Sequence, residues 1–489
     1  MYWLSKIVLL KEKIMKNFNN KLQIGSDEKI IYGVGEGGVQ AYKHLINSNF
    51  KVKYFVDDNK KLQGKKKFSI EIISFNQLKQ LSERYFVSNI LIAIPSLTGN
   101  KLHNFVKKLE KISPNVEFLT SKKNLTSNNI NLSDINSVVI NNILNRKEKK
   151  YHIGLFKNII NKNILITGAG GSIGSELCRQ LAEFKVNKIV ALDNSEISIY
   201  NLIKTHKNKK KIKFILGDII DYNLISELIK RNKIDIIYHT AAYKHVSILE
   251  KNLIAAVKNN VIGTLNILEN SVKNNCNFIF ISTDKAVKPT SNLGITKRIA
   301  EIICQSYKDV KKNSKINIVR FGNVFGSVGS AIPLFLEQIN NNLPITITNK
   351  KVKRYFMTIK EACLLLLAST AYHTSRGTLI LNMGKPILVI DIIKKLITLR
   401  ERFNPTYKYL IIETGLGKGE KLIEELVINK KSLIEKNKIG ILECFEPSYQ
   451  FDEVQNLISK IKFYSINFRE RPLTLLLKKF LIKEIKNHI

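Results

Sequence analysis

Four residues near the middle of the 489-residue chain could carry acid–base chemistry. The segment FISTDKAVKPT places Thr283, Asp284 and Lys285 directly after an apolar run, and Lys297 follows in a helix-like stretch. A carboxylate beside an amine can exchange protons with a bound substrate. An isolated Asp-Lys pair is more often a surface ion pair, but the carboxyl ends of strands in nucleotide-binding α/β folds open onto the ligand crevice. The position therefore favours catalysis.

A glycine-rich turn indicates the ligand of that crevice. The segment NILITGAGGSIGSEL places Gly168, Gly171 and Gly174 between an apolar strand and a helix. Glycines at this spacing permit a tight turn, the approach of a pyrophosphate and close helix–strand packing, and the helix N-terminus from Ser172 offers free N–H groups. Asp193 ends the next strand, where a carboxylate can bind ribose hydroxyls and repel a 2′-phosphate. The pattern predicts NAD rather than NADP.

Alternating apolar runs and helix-like stretches predict the elements that position these residues. Strands are expected at 164–167, 189–193, 213–216, 234–239, 278–282 and 316–321. Alternation over this length is typical of a doubly wound, Rossmann-type parallel sheet in an α/β protein.

A second alternating pattern occupies the N-terminal part. It begins with KIIYGVGEGG and VKYFVDD, and continues with strands expected at 90–94 and 116–119 and a helix at 101–109. The polar stretch 121–136 is rich in Ser and Asn, as linkers are. We therefore predict a smaller Rossmann-like domain at 1–125, a linker at 126–150, and a catalytic domain at 151–489 that ends in a small substrate-binding lobe.

The smaller domain has its own glycine turn, with Gly33, Gly35 and Gly38 followed later by Asp57 and Asp58. A ligand sensor and an inert spacer are equally compatible with this pattern, because a fold alone does not set a function.

Composition limits the other classes of function. The net charge of +39 comes from lysines scattered along the chain, which favours a generally basic surface over a nucleic-acid site. The five cysteines include no CxxC pair, so neither a metal site nor a redox pair is predicted. No apolar run reaches the ~20 residues of a membrane span. We expect a cytoplasmic protein with no nucleic-acid partner and no integral membrane segment.

Seven stretches of the sequence resemble one known family. They are ITGAGGSIGSEL, HTAAYKHV, NNVIGTLNI, STDKAVKPT, VRFGNVFGSVGSAIPLF, TNKKVKRYFMT and GLGKGEKLIEEL, and they span most of residues 138–426. The chain is similar to the polysaccharide-biosynthesis family of UDP-N-acetylglucosamine 4,6-dehydratases, within the extended short-chain dehydrogenase/reductase superfamily. The N-terminal segments resemble the extra domain of its longer members, without their membrane helices.

The resemblance implies a role for each matching residue. Hydride passes from carbon 4 of the sugar to NAD and returns to carbon 6; Thr283 binds the 4-hydroxyl, Lys285 takes the carbon 5 proton, and Asp284 protonates the departing 6-hydroxyl. Residues expected at the cofactor are Gly168, Gly171, Ser172, Ile173, Gly174, Asp193, Asp218, Ile219, Thr240, Lys244 and Lys297. Residues expected at the UDP-N-acetylhexosamine substrate are Asn323, Arg354, Lys418 and Glu420.

Two positions depart from the family pattern. Leu293 stands where most of the superfamily has a tyrosine four residues before the lysine, so a tyrosinate mechanism is excluded and the longer dehydratases, which usually have Met, are the better match. Gly417 and Lys418 replace an Arg-Pro before GEK, and Lys418 can replace the lost guanidinium only as a point charge.

Other readings remain open. A nucleotide-sugar epimerase and a dehydratase that inverts carbon 5 belong to the same superfamily, and a catalytically lapsed NAD-binding assembly module belongs to a different class. The superfamily usually dimerises through two helices, here at 254–268 and 294–307, so a homo-oligomer is expected.

Overall fold

The computed structural model describes most of the chain from residue 152 onward and part of the chain before it. The described residues are 22–23, 28–47, 50–87, 89–94, 97, 105, 108–109, 112–113, 115–118, 140, 143–144, 152–206, 211–310, 315–372, 374, 377–401, 409–428, 433–437, 440–445 and 449–486. Contacts divide the chain into two units, Met1–Asn142 with Leu396–Lys408, and Ile143–Lys395 with Tyr409–Ile489. The predicted linker and the helix at 101–109 lie mostly outside the described residues.

The first unit is built on a six-stranded sheet. Its strands and helices are β1 Leu22–Gln23, β2 Glu28–Tyr32, α1 Glu36–Asn47, β3 Lys51–Val56, β4 Lys66–Lys67, β5 Ile70–Ile73, α2 Phe75–Arg84, β6 Tyr85–Phe86, β7 Asn89–Ile92 and β8 Asn115–Phe118. The order in the sheet is β4-β5-β3-β2-β7-β8, and β2 pairs in parallel with both β3 and β7. Alternate side chains of β2 enter different apolar clusters, Ile30 on one face and Ile31 on the other.

The second unit contains a nine-stranded sheet. Its strands are β9 Asn163–Thr167, β10 Lys188–Asp193, β11 Ile212–Leu216, β12 Ile236–His239, β13 Asn277–Thr283, β14 Ile316–Phe321, β19 Gly377–Leu381, β22 Leu433–Asn437 and β23 Ile441–Phe445. The order β11-β10-β9-β12-β13-β14-β19 is parallel throughout and is continued by β23 and β22, which pair antiparallel. The predicted Rossmann-type sheet is confirmed.

Helices pack against both faces of this sheet. The helices from residue 172 onward are α3 Ser172–Glu183, α4 Glu196–Thr205, α5 Tyr222–Arg231, α6 Val246–Leu249, α7 Leu253–Val257, α8 Thr264–Lys273, α9 Asn292–Val310, α10 Ala331–Asn340, α11 Ile359–Ser369, α12 Val389–Glu401, α13 Phe451–Ile466 and α14 Glu470–Lys486. One face is covered by α3, α4 and α11, and the other by α5, α7, α8, α9, α13 and α14. A π-helical turn, Lys258–Gly263, joins α7 to α8. Leu165 of β9 packs into one apolar core, whereas its neighbours Ile164 and Ile166 pack into the other. This alternation, buried on both sides, is what a sheet between two helical layers requires.

Six short strands lie outside the large sheet, in the segments that connect its later strands. They form three two-stranded sheets, β15 Asn323–Phe325 with β18 Phe356–Thr358, β16 Ile345–Ile347 with β21 Ile411–Glu413, and β17 Lys353–Arg354 with β20 Ile387–Leu388. The C-terminal region is thus only partly a separate lobe, because β22, β23, α13 and α14 belong to the large sheet and its helical layer.

The helices predicted to form a dimer interface contact the C-terminal helices of the same chain. Val454 and Leu457 of α13 share one apolar core with Ile299 of α9. The rings of Tyr307 in α9 and Phe451 at the start of α13 lie 5.2 Å apart. Helix α13 of the same chain therefore covers the face of α9 that was expected to form the dimer interface. The predicted oligomer would need another surface.

Among the described residues, no helix combines the length and the apolar character that a membrane crossing requires.

Candidate active site

The glycine turn lies between β9 and α3, at the point where the strand order reverses. Gly168 has φ +67°, and a Cβ there would lie 2.7 Å from the backbone of Ala241. A Cβ at Gly174 would overlap the carbonyl oxygen of Gly168. Helix α3 begins at Ser172 with Gly171 as its N-cap, and no side chain caps it. The first turn therefore keeps its N–H groups directed at the crevice, where a phosphate can accept them.

Asp193 fastens this turn to the end of β10. Its Oδ2 accepts the N–H of Gly170 at 2.9 Å, and its Oδ1 accepts the N–H of Ser195 at 2.9 Å. A carboxylate offers about four acceptor positions, so two remain for a ribose diol. The same contact occurs in the first unit, where Asp57 Oδ2 accepts the N–H of Val34 at 2.9 Å.

A cavity of about 250 Å³ opens at this edge of the sheet. Six of the residues predicted to bind the cofactor line it, namely Gly168, Gly171, Asp193, Asp218, Ile219 and Thr240. Residues that the sequence analysis missed also line it, among them Asn194, Ser198, Tyr243 and Asn259. The glycine turn and the carboxylate at the strand end have the chemistry that a dinucleotide site needs, and the binding of the adenosine ribose by Asp193 stays a prediction.

Two other predicted cofactor residues contact a loop of the same unit. The Ser172 hydroxyl accepts the N–H of Val328 at 3.0 Å, and Lys244 Nζ donates to the carbonyl oxygen of Val328 at 2.6 Å. Ile173 is partly buried against the core beneath the turn. The Val328 loop thus joins the glycine turn to the segment after β12.

Lys297 lies beneath the carboxyl end of β13. Its Nζ donates to the carbonyl oxygen of Ile281 at 2.6 Å and lies 4.0 Å from the centre of the Phe280 ring. Burial lowers the pKa of Lys297 to about 8, against the opposing charge of Glu301. Its contact with cofactor or substrate stays a prediction.

The acid–amine pair lies where the sequence placed it. Thr283 is the last residue of β13, and its hydroxyl donates to Asp284 Oδ1 at 2.9 Å. Lys285 Nζ donates to the same Oδ1 at 3.0 Å and to Asn323 Oδ1 at 3.4 Å. Asp284 is fully buried, whereas the Lys285 side chain is 23 % exposed. These contacts form a relay of hydroxyl, carboxyl and amine groups, and the surface ion pair is excluded.

Glu424 is the member of this cluster that the sequence analysis missed. Its Oε1 lies 3.9 Å from Lys285 Nζ, and the side chain is 3 % exposed. Burial raises the pKa of Glu424, as does the charge of Asp284, whereas Lys285 lowers it. The stretch GLGKGEKLIEEL contains it, but nothing local in that stretch distinguishes Glu424 from its half-exposed neighbour Glu425.

The residues predicted to hold the substrate divide into two sets. Arg354 is buried, and its NH2 donates to Glu420 Oε1 at 2.9 Å, so these two form one ion pair. Lys418 lies apart from them, with a side chain that is 85 % exposed and an Nζ 3.8 Å from Glu250 Oε2. Arg354 lies next to this cluster, because the N–H of Asn323 donates to the carbonyl oxygen of the adjacent Tyr355 at 2.9 Å, whereas Lys418 can reach a ligand only from the solvent side.

Leu293 packs among apolar side chains one turn before Lys297. It is 5 % exposed and shares a small cluster with Leu249 and Ala256. Nothing in this environment needs a side chain that titrates.

We expect Leu293→Met to leave activity close to that of the parent protein. The two side chains have nearly the same volume, and such exchanges usually cost less than about 1.5 kcal/mol. Turnover and thermal stability of the variant check this. A loss of turnover as large as that of a catalytic variant would show that Leu293 shapes the reacting centre.

The architecture defines the class of protein. A parallel Rossmann-type sheet with a glycine turn, a carboxylate at the end of the second strand and an acid–amine pair at the end of the fifth is that of a nucleotide-sugar dehydratase or epimerase of the short-chain dehydrogenase/reductase type. The chain belongs to the polysaccharide biosynthesis protein family, whose model matches residues 164–443.

Known proteins resemble much of the chain. The capsular polysaccharide biosynthesis protein CapD of Staphylococcus aureus is 34% identical over 441 residues, which is 86% of this chain and 71% of that protein. The probable polysaccharide biosynthesis protein EpsC of Bacillus subtilis is 34% identical over 433 residues, with the same shares covered. The solved structure of Pen from Bacillus thuringiensis is 30% identical, has a TM-score of 0.55, and covers 62% of this chain and 98% of Pen.

Proposed function

We propose that the protein is an NAD-dependent 4,6-dehydratase that converts UDP-N-acetylglucosamine to UDP-2-acetamido-2,6-dideoxy-4-keto-hexose for polysaccharide biosynthesis. The observation that carries this proposal is the hydrogen-bonded set of Thr283, Asp284 and Lys285, with Leu293 in place of a titrating tyrosine. The set follows β13, which pairs with β12, and Thr240 directly after β12 lines the cavity. Elimination needs both an acid and a base at the sugar, and this set supplies both.

NAD, when bound, supplies reversible hydride transfer, from carbon 4 of the sugar at the start and to carbon 6 at the end. The Thr283 hydroxyl binds the 4-hydroxyl of the sugar and passes its proton to Asp284, which it contacts at 2.9 Å. Lys285, as a neutral amine, takes the proton from carbon 5, which the neighbouring ketone has made acidic. Asp284 then returns its proton to the 6-hydroxyl, which leaves as water. Lys285 finally gives its proton back to carbon 5.

The charged residues around this set suit a nucleotide diphosphate. Arg354 is held in place by Glu420 and by the carbonyl oxygens of Lys353 and Leu422. A guanidinium fixed in this way can bind a phosphate with little loss of conformational entropy. Lys418, on the solvent side, adds a point charge where the family pattern has an arginine.

The proposal is tested by incubating purified protein with UDP-N-acetylglucosamine, without added NADH, and following the mass of the product. Loss of one water is expected. An unchanged mass with a new sugar configuration would instead identify an epimerase, the activity named for a Rickettsia bellii relative, UDP-glucose 4-epimerase, which is 32% identical over 282 residues. No conversion at all would favour a lapsed module.

The cofactor released from purified protein by denaturation should be NAD and not NADP. The 2′-phosphate of NADP would meet the carboxylate of Asp193, whose oxygens are already fixed by Gly170 and Ser195 and cannot turn away. Chromatography of the released nucleotide against both standards checks this. NADP as the main species would contradict the assignment of Asp193.

A further inference from the structure

The carboxyl group of Glu424 faces the amine of Lys285 and takes no part in the proposed proton transfers with the sugar. Its side chain is 3 % exposed, and its Oε1 lies 3.9 Å from Lys285 Nζ. Its Oε2 is buried and has no hydrogen-bond partner among the described residues. Buried carboxylate oxygens are nearly always hydrogen-bonded, so an orphan oxygen beside a reacting amine needs a reason.

The proton count of the proposed reaction supplies that reason. Asp284 must begin as a carboxylate to receive the proton of the 4-hydroxyl, and Lys285 must begin as a neutral amine to take the carbon 5 proton. The proton that Lys285 normally carries therefore needs an acceptor other than Asp284. Within the described part of the chain, Glu424 is the other carboxyl group within 4.0 Å of that amine.

We infer that Glu424 is a positioning residue that holds, as a neutral carboxylic acid, the proton that Lys285 gives up before it acts as the base. This inference rests on the proposed dehydratase function. One proton moves from Lys285 Nζ to a Glu424 oxygen when substrate binds, and no other bond changes in that step. Lys285 then takes the carbon 5 proton and later returns it, while Glu424 keeps its own proton throughout turnover.

The surroundings of Glu424 support a neutral carboxyl group. Burial raises its pKa, and so does the carboxylate of Asp284, while Lys285, Arg354 and Lys421 lower it. Burial in turn lowers the pKa of Lys421, although the charges of Glu424, Glu425 and Asp284 raise it. The 3.9 Å separation exceeds a hydrogen bond and must shorten when substrate binds, as contacts of catalytic groups often do.

The pH dependence of carbon 5 proton exchange tests this inference. In the parent protein the proton that Lys285 gives up stays within the Lys285–Glu424 pair. The rate at which the carbon 5 hydrogen exchanges with deuterated solvent should therefore not change with pH across the neutral range. In Glu424→Gln the amine must release its proton to water, so the logarithm of the rate should rise with a slope of about one per pH unit and the rate at neutral pH should fall at least about tenfold. The KM should change little. Glu424→Asp should restore much of the flat profile.

The neighbouring residue provides a matched control. Glu425→Gln removes the same charge from a side chain that is 44 % exposed and pairs with Lys288, so its profile should match that of the parent. If the parent protein removes no water, the proposed function fails. If the parent removes water and Glu424→Gln shows the parent profile, the inference about Glu424 is wrong. If neither variant folds, the pH profile of the parent protein tests the inference. A slope of one in the logarithm of its carbon 5 exchange rate against pH overturns the inference.

Discussion

Lys285→Met should abolish dehydration while the protein folds and keeps its cofactor. Methionine retains most of the side-chain length but cannot take a proton from carbon 5. Asp284→Asn should have a similar effect, because an amide cannot relay the proton between the 4-hydroxyl and the 6-hydroxyl. Loss of a general acid or base costs at least about 10²-fold in rate, so both variants should fall by that factor or more. Product mass and turnover number measure it.

The two variants should differ in one measurement. Exchange of the carbon 5 hydrogen with deuterated solvent should vanish in Lys285→Met, because the base itself is missing. Lys288→Met is the matched control, since Lys288 is a nearby lysine with a 46 % exposed side chain that pairs with Glu425. It should keep normal turnover. Near-normal turnover in Lys285→Met or Asp284→Asn would place the chemistry on other residues.

The sequence could predict the part of the site that depends on neighbours along the chain. Strand β14 has the predicted bounds, and β9, β10, β11 and β13 begin one residue before them. The turn at Gly168 and the pair Asp284–Lys285 follow their strands directly, so the fold of a single βα unit sets their position. Alternation of apolar and helical segments is a local signal, and it is strong where both faces of the sheet are buried.

The remaining part of the site depends on contacts between distant segments. The ion pair of Arg354 with Glu420 and the approach of Glu424 to Lys285 exist because loops far apart in sequence meet at one edge of the sheet. The spacing of apolar residues along the sequence gives no sign that two distant loops are in contact. The antiparallel strands β22 and β23 were missed for the same reason, as was the packing of α13 over the helices predicted to form a dimer.

Glu301→Gln should lower the free energy of unfolding of the second unit, because Glu301 supplies the carboxylate of a buried cluster of three charged side chains. Its Oε1 and Oε2 accept from Nε and NH2 of Arg320, each at 2.6 Å, and its Oε2 also accepts from NH1 of Arg298 at 2.9 Å. The three side chains are at most 2 % exposed. An amide in place of the carboxylate removes the negative charge that both buried guanidinium groups contact. Breaking a buried pair in this way costs about 3–5 kcal/mol.

The expected loss can be read from urea unfolding followed by a signal of the second unit. A cost of about 3–5 kcal/mol lowers the midpoint by about 1–2 M for a typical urea dependence. Glu227→Gln is the matched control, since Glu227 and Arg231 also meet at 2.6 Å, but their side chains are 54 % and 79 % exposed. Exposed helix pairs contribute only about 0.3–0.5 kcal/mol. Both carboxylates lie 2.6 Å from an arginine, so the difference in urea midpoint between the two variants should come from the burial of the Glu301 ion pair. Equal midpoints for both would show that the Glu301 cluster does not stabilise the fold.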